Sequence, residues 1–406
     1  MIPVYEPDLS QLEEDYLLDA FRSGWISSKG EYLARFEETF ARWVKVRYAL
    51  ATCSGTTALH LALLALGIKP GDEVIVPALT YVATANAVTY TGAKAIFVDL
   101  DAASWTLDPV DVERHITKRT RGIIAVHLYG RPARMNRILP IAERNGLWVV
   151  EDAAEAPGAR VLGRPVGGIG TIGCFSFFGN KILTTGEGGI ATTNDEQLAQ
   201  LMFRYRGQGV SMTVTYWHDL VGYNYRMTNL AAAIGLAQLE RYPQIISAKR
   251  RLACWYNERL VGIEGIGLPT PLEWADDVCW MYSVLVPRRD EVRAQLAEAG
   301  IETRPFFFPL YRMPIYYDST VYLPISENLA KTGLNLPSST RLTEEQVDFI
   351  CTTLSKIVRK TKPVEFTAAV RPAQVIEEPS VVIQAASGAN LTRRNAIHGR
   401  DTRKSH

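Results

Sequence analysis

Short apolar runs alternate with helix-like stretches through roughly the first half of the chain. The runs lie at residues 73–76, 95–98, 122–126, 147–150 and 174–177. Each has the length of a buried strand, and the stretches between them carry apolar residues at helical spacing. Alternation of this kind is typical of a mostly parallel sheet between two layers of helices, so we predict an α/β fold.

Capping patterns mark the start of two further predicted helices. Ser10 and Glu13 form a capping box before a helix that should end near residue 24. Thr343 and Gln346 have the same spacing before the last periodic stretch, where we predict a helix at residues 343–358.

The chain of 406 residues is too long for one compact core, so we predict two domains. A large domain is expected at residues 1–244, and a smaller C-terminal α/β domain at residues 245–361, with a strand at 283–286 and a helix at 288–299. Residues 362–406 carry prolines and a basic end without helical or strand periodicity. We therefore predict a disordered tail there.

Lys181 lies between a strand-like run at 174–178 and a turn that contains Gly186, Gly188 and Gly189. A partly desolvated lysine loses basicity and can condense with an aldehyde to a Schiff base, whereas an exposed lysine is protonated and unreactive. A solvated turn lysine is the ordinary alternative, and this position alone does not decide between the two.

Two other candidate sites lie at the ends of predicted elements. Asp152 follows the strand at 147–150, at the carboxyl end where ligands bind in open α/β sheets. Gly55 and Thr56 open an apolar helix, whose unpaired amides and dipole suit a phosphate. The ordinary alternatives are a solvated helix start for Asp152 and a plain N-cap for the glycine segment.

Several motifs resemble those of the sugar-nucleotide aminotransferases that depend on pyridoxal 5′-phosphate (PLP), the DegT-like branch of fold type I. They lie at residues 25–30, 175–181, 184–189, 216–219 and 222–229. The likeness extends over roughly residues 1–360. It implies the fold of that family, a large domain with a mostly parallel sheet between helices plus a smaller C-terminal α/β domain.

The resemblance also implies PLP, and its aminated form PMP, as the cofactor. Lys181 would carry PLP and move the reacting proton, and Asp152 would keep the pyridine nitrogen protonated. The remaining contacts that the resemblance implies come from five side chains and one glycine: Gly55, Thr56 and Ser176 for the phosphate, Tyr81 stacked on the ring, Glu155 close to the ring, and Asn224 for the phosphate of the neighbouring subunit. The active sites would then be shared between the subunits of a homodimer.

The implied reaction is a two-stage transamination from L-glutamate to C4 of GDP-4-keto-6-deoxymannose, in deoxyaminosugar biosynthesis of the kind that serves O-antigens. Amination at C3 of a related GDP-keto sugar, or of another nucleotide 4-keto-6-deoxyhexose, stays open. The sister 3-dehydratase branch is disfavoured because it carries His at the position of Lys181. A regulatory or DNA-binding protein that uses the basic tail is the alternative from another class, although so few charges predict only weak, salt-sensitive binding.

Composition narrows the partners further. Apolar residues make up 47% of the chain and the net charge is +1, so nucleic acid is not an expected partner. No apolar run approaches the ~18 residues that a membrane helix needs, and the first ten residues lack a signal-like pattern, so no membrane partner is expected. Five scattered cysteines without a C-x-x-C pair predict reduced thiols, hence a cytoplasmic protein.

Two patterns suggest other ligands, and we set both aside. Gly168, Gly170 and Gly173 have the spacing of a dinucleotide fingerprint, but a strand-like run follows them where the fingerprint needs a helix. His60 and His127 belong to no metal-ligand spacing, so no metal site is predicted.

Overall fold

The computed structural model describes residues 1–360, and the predicted tail at 362–406 lies outside them. The α-helices of the described chain are α1 Gln11–Arg22, α2 Glu31–Val44, α3 Gly55–Ala65, α4 Ala83–Tyr90, α5 Pro109–Arg114, α6 Met135–Arg144, α7 Glu196–Arg206, α8 Asn229–Glu240, α9 Tyr242–Leu260, α10 Arg289–Glu298, α11 Pro324–Thr332 and α12 Glu344–Lys360. Its strands are β1 Tyr48–Thr52, β2 Glu73–Pro77, β3 Lys94–Val98, β4 Thr120–Val126, β5 Trp148–Asp152, β6 Arg160–Val161, β7 Arg164–Pro165, β8 Ile172–Ser176, β9 Gly189–Thr193, β10 Ala275–Asp276, β11 Tyr282–Leu285, β12 Arg304–Pro305 and β13 Gly333–Leu336.

The large sheet has seven strands in the order β1-β9-β8-β5-β4-β2-β3. Strands β8, β5, β4, β2 and β3 are parallel to their neighbours in that row, and β9 runs antiparallel to both β1 and β8. All five predicted strands of this half are confirmed as β2, β3, β4, β5 and β8. The outer pair β1 and β9 was not predicted.

Aromatic packing anchors the strand that leads to Lys181. Phe175 on β8 and Phe177 just after it are buried against Phe36 and Phe40 of α2. The Phe40 ring meets the Phe175 ring edge-to-face, with centroids 4.9 Å apart, and the Phe177 ring at 5.6 Å. Such edge-to-face contacts add to the burial of the rings themselves, so the segment before Lys181 is held rigidly.

A second apolar core lies in the C-terminal part of the described chain. Strands β11, β13 and β12 form an antiparallel three-stranded sheet. The buried residues of this second core include Leu252 on α9, Leu296 on α10 and Ile350 on α12. The predicted strand at 283–286 and helices at 288–299 and 343–358 are confirmed as β11, α10 and α12. The division into domains at residue 245 stays a prediction.

Both capping boxes form. Ser10 N donates to Glu13 Oε2 at 2.7 Å before α1, and Thr343 N donates to Gln346 Oε1 at 3.0 Å before α12. Helix starts are set by neighbouring residues, so they are accessible to sequence reasoning.

Candidate active site

A cavity of about 400 Å³ lies at the carboxyl ends of β5 and β8. Every site residue predicted within one chain lines it: Gly55, Thr56, Tyr81, Asp152, Glu155, Ser176 and Lys181. Its other wall comes from residues beyond 278, chiefly Trp280, Arg304 and Phe307.

Lys181 directs its amine into this cavity. Its side chain is only 11% exposed, and Nζ lies 3.7 Å from Oε1 of Glu155. On another side, Nζ lies 3.9 Å from the ring centroid of Trp280. Burial lowers the pKa of the Lys181 amine, while the charges of Glu155 and Asp152 oppose that shift. The amine is therefore a more available nucleophile than a surface lysine.

Asp152 is the last residue of β5, and its carboxylate is buried. Thr84 Oγ1 donates to Oδ2 at 2.7 Å, and Ala154 N donates to Oδ1 at 3.2 Å. Burial raises the pKa of Asp152 against these hydrogen bonds and the nearby Lys181. A buried carboxylate of this kind is stabilised by a cationic partner such as a protonated pyridine nitrogen.

Glu155 is also buried, three residues after Asp152. Its Oε2 accepts a hydrogen bond of 2.7 Å from the backbone N–H of Tyr129. Burial raises the pKa of Glu155 to about 7, the Asp152 charge adds to this, and Lys181 opposes it. Glu155 is therefore able to exchange a proton near neutral pH, next to the amine of Lys181.

The opposite end of the cavity is a helix N-terminus. Ser54 caps α3, and its oxygens take up the N–H groups of Thr57 and Ala58. Within residues 1–360, no acceptor is found for the N–H groups of Gly55 and Thr56, which line the cavity. Two free amides at the positive end of a helix dipole form an anion site.

Close packing explains the glycine at this end. A Cβ atom at Gly55 would lie 2.7 Å from Cβ of Ser176, at the end of β8. The absence of a side chain brings the start of α3 against the strand end, so the Ser176 hydroxyl joins the same anion site.

Of the two remaining predicted site residues, Tyr81 lines the cavity and Asn224 does not. The Tyr81 ring lines the cavity, is 58% exposed, and has its centroid 5.8 Å from that of Phe307. Asn224 is exposed outside the cavity, where its Oδ1 accepts from Nε of Arg226 at 3.0 Å. The single chain therefore assembles all the predicted site residues except Asn224.

The loop whose glycine spacing resembles a dinucleotide fingerprint binds a carboxylate of the protein itself. The backbone N–H groups of Gly167, Ile169 and Gly170 donate to Glu151 at 2.9, 2.7 and 2.6 Å. Nε2 of His127 lies 3.1 Å from the same carboxylate, and Nδ1 accepts from Ala133 N at 2.9 Å, so the ring proton is on Nε2. The loop thus fixes Glu151, directly before Asp152, and then continues into strand β8, as its sequence indicated.

Three cavity residues in particular were not found from the sequence: Tyr129, Trp280 and Asn335. Tyr129 adopts a positive φ of 54° within the turn Leu128–Gly130, a conformation that is visible in the structure and not in the sequence. Single aromatic or polar residues carry no sequence pattern that separates a site residue from a core residue.

The cavity fits PLP by its chemistry. It offers an amine, a buried carboxylate for the pyridine nitrogen, an anion site for the phosphate and an aromatic ring for stacking. Oδ1 of Asn180 lines it, buried and without a hydrogen-bond partner among the described residues. In the part of the chain that is described, no group of three or more His, Cys, Asp or Glu side chains could hold a metal ion. Nor is any helix in residues 1–360 both long enough and apolar enough to cross a membrane.

A fold type I sheet with a buried lysine, a strand-end carboxylate and a phosphate site is that of a PLP-dependent aminotransferase. Residues 7–355 match the family model of the DegT/DnrJ/EryC1/StrS aminotransferases, and the chain belongs to that family. The predictions of fold, enzyme class and cofactor are thereby confirmed.

The chain is similar to individual members of this family in sequence and in structure. The chain is 47% identical to a GDP-perosamine synthase of Escherichia coli O157:H7, over 87% of this chain and 98% of that one. It is 47% identical to a GDP-perosamine synthase of Caulobacter vibrioides, over 88% and 98%. A Streptococcus pneumoniae structure in the PMP form superposes with a TM-score of 0.85 at 29% identity, covering 88% of this chain and 98% of that one.

Proposed function

We propose that this aminotransferase transfers the amino group of L-glutamate to C4 of GDP-4-keto-6-deoxymannose and so produces GDP-perosamine. The observation that carries the chemistry is the buried Lys181 amine, 3.7 Å from Glu155, in a cavity that also holds Asp152. The two GDP-perosamine synthases support the substrate, because nearly their whole length aligns with this chain.

When bound, the cofactor would supply the aldehyde and amine chemistry by which an amino group is carried from the donor to the keto sugar. Lys181 has two tasks in this scheme. Its amine holds the cofactor between turnovers and, once released, takes a proton from one carbon and returns it to another. Burial favours the neutral amine that accepts the proton, and the neighbouring Glu155 carboxylate favours the ammonium that returns it.

Asp152 acts on the pyridine nitrogen. Its carboxylate, oriented by Thr84 and Ala154, would hold that nitrogen in its protonated form and so support the electron-withdrawing chemistry that the cofactor would supply. The free N–H groups of Gly55 and Thr56, together with the Ser176 hydroxyl, hold the phosphate at the opposite end.

Arg304 is suited to a carboxylate of the donor. Among the described residues that line the cavity, Lys181 and Arg304 are the basic ones, and Arg304 forms no ion pair within residues 1–360. Lys181 is committed to the cofactor, so Arg304 is left to balance the charge of glutamate. A guanidinium binds a carboxylate through two parallel hydrogen bonds.

A homodimer with shared sites completes the proposal. Asn224 is exposed and does not line the cavity of its own chain, as expected of a residue that reaches the phosphate of a neighbour. The loop before it exposes large apolar side chains, with Tyr216, Trp217 and Val221 at 92, 60 and 86% exposure. Exposed apolar clusters of this kind mark protein interfaces. A cytoplasmic location also stays a prediction from the sequence.

Product analysis tests the substrate and the reacting carbon together. Purified protein with PLP is incubated with GDP-4-keto-6-deoxymannose and L-glutamate, and the product is assigned by NMR, with Lys181→Ala protein as the control. We expect the nitrogen on C4. Nitrogen on C3, or turnover only of a dTDP or UDP 4-keto sugar, would contradict the substrate and leave the aminotransferase class intact.

A further inference from the structure

The indole of Trp280 makes two contacts around Lys181, one with the main chain just before this residue and one with its amine. The indole Nε1 donates a 2.6 Å hydrogen bond to the carbonyl oxygen of Asn180, which belongs to the peptide bond leading into Lys181. The face of the same indole lies 3.9 Å from Nζ. One buried side chain therefore holds both the main chain and the amine of the catalytic lysine.

Trp280 is itself fixed through its backbone. Its N–H donates to the carbonyl oxygen of Tyr129 at 3.1 Å, next to the N–H that binds Glu155. Its carbonyl oxygen accepts a hydrogen bond of 2.8 Å from Nζ of Lys249. The position of the indole thus depends on a second lysine, which does not line the cavity.

Lys249 on α9 is completely buried, and no carboxylate in the described chain lies within ion-pair distance of it. Its Nζ also donates to the carbonyl oxygen of Ser338 at 2.5 Å and lies 5.6 Å from the ring of Tyr5. Tyr5 in turn donates its hydroxyl to the carbonyl oxygen of Lys181 at 2.6 Å. Lys249 is therefore the point where two supports of Lys181 meet.

A buried lysine without a counter-charge opposes folding, because its charge is removed from water. Desolvation accordingly lowers the pKa of Lys249 to about 8, with Cys279 as an opposing influence. An apolar side chain of similar length would fill the same space. The hydrogen bonds to Trp280 and Ser338 are what the amine of Lys249 provides and an apolar chain does not.

The proton transfer requires that the Lys181 amine be held in one position. Released from the cofactor, the Lys181 side chain has four rotatable bonds, and its amine must remain beside the carbon whose proton moves. An aromatic face attracts an ammonium group, and the Glu155 carboxylate lies on another side of it. Asp152 is the other charged group that faces the amine.

We propose that Trp280 is a positioning residue that holds the released Lys181 ammonium beside Glu155, and that Lys249 acts through Trp280 by fixing its carbonyl oxygen.

The first test uses cofactor-free protein, so it does not depend on turnover. Trace acetic anhydride is applied over a pH series, and acetylation of Lys181 is quantified by mass spectrometry to give the pH midpoint of its reactivity. We expect Trp280→Leu to lower that midpoint by roughly half a unit or more, because the ammonium loses the aromatic face. Trp280→Phe, which keeps a ring, should shift it less. An unchanged or higher midpoint in Trp280→Leu would overturn the proposal.

The second test asks whether Lys249 acts through Trp280. Lys249→Met should lower the same midpoint, and should add nothing in the Trp280→Leu background, since two residues in one chain of contacts are non-additive. Equal shifts in both backgrounds, or none in either, would contradict the role given to Lys249. Should Trp280→Leu fail to fold, the cycle is run with Trp280→Met, which also lacks an aromatic ring.

Kinetics separates positioning from binding. In the holoenzyme, Trp280→Leu should reduce kcat roughly 3- to 30-fold with the glutamate KM within about twofold. A change confined to KM would overturn the proposal. Trp105→Phe is the matched control, because Trp105 is equally buried and faces Arg131 at 5.5 Å, outside the cavity. It should leave the Lys181 midpoint unchanged.

Discussion

The hydroxyl of Thr84 donates a 2.7 Å hydrogen bond to Oδ2 of Asp152 and so joins α4 to the end of β5. Both side chains are buried, so the bond is shielded from water. The carboxylate is oriented before any ligand arrives, and this orientation is what its proposed role at the pyridine nitrogen requires.

Asp152→Asn should retain PLP and lose most of its activity, because an amide cannot keep the pyridine nitrogen protonated. We expect kcat to fall by ~10²-fold or more. Thr84→Val removes only the orienting donor, so its kcat should fall about tenfold or less. Steady-state kinetics with matched PLP occupancy measures both. Normal turnover of Asp152→Asn would show that the carboxylate is structural.

Lys181→Ala should fold normally and have less than about a percent of wild-type turnover, because the amine is both carrier and proton shuttle. Circular dichroism and thermal melting establish the fold, and product formation the activity. Lys331→Ala, at an exposed position on α11, is the control. Substantial residual turnover in Lys181→Ala would remove Lys181 from the mechanism.

The Glu155 pKa predicts a pH-dependent stability of the cofactor-free protein. Because folding raises this pKa to about 7, protonated Glu155 stabilises the fold at low pH, and that contribution is lost as the pH rises through 7. The side chain in Glu155→Gln does not titrate, so this variant does not lose stability in this way. The melting temperature of Glu155→Gln minus that of wild type should therefore increase between pH 5 and pH 8. Scanning fluorimetry over this range measures the difference.

Exposed Glu298 on α10 supplies the control variant, Glu298→Gln, for which we expect no such trend. A difference between Glu155→Gln and wild type that stays flat or shrinks with rising pH would contradict the burial argument for Glu155.

Arg304→Gln should raise the glutamate KM by roughly 10- to 100-fold, the range for a lost charged hydrogen bond. The two half-reactions are followed separately through the spectrum of the bound cofactor. We expect the effect in the glutamate half only. Arg312→Gln, whose native side chain pairs with Glu327 outside the cavity, is the control. An effect confined to the sugar half would assign Arg304 to the nucleotide sugar.

Mixing two impaired variants tests whether the active sites are shared between subunits. Lys181→Ala and Asn224→Ala homodimers each carry a lesion in both sites, whereas a mixed dimer would have one site with both lesions and one with neither. After complete exchange, activity should recover to roughly a quarter of wild type, because half of the dimers are mixed. Absence of recovery, with exchange demonstrated by mass spectrometry, would place Asn224 in its own subunit's chemistry or in none.

The sequence by itself determined many of the helices and strands and one wall of the cavity. Helix caps and buried strands depend on neighbouring residues, so α1, α12 and the strands from β2 to β8 in the large sheet were readable. Asp152 and Lys181 were candidate site residues because each follows a recognisable strand, and parallel strands end at one edge. Their roles came from the resemblance to the aminotransferase family.

Tertiary structure decided the other wall of the cavity and the charge states within it. Trp280 lies about a hundred positions from Lys181 along the chain, so their contact forms only when the fold brings Trp280 into the same apolar core as the strands before Lys181. The sequence did not indicate that the glycine loop at 167–170 binds the Glu151 carboxylate, because this contact forms only in the folded chain. The pKa of Glu155 depends likewise on burial and on charges brought together by the fold, which no local pattern of residues encodes.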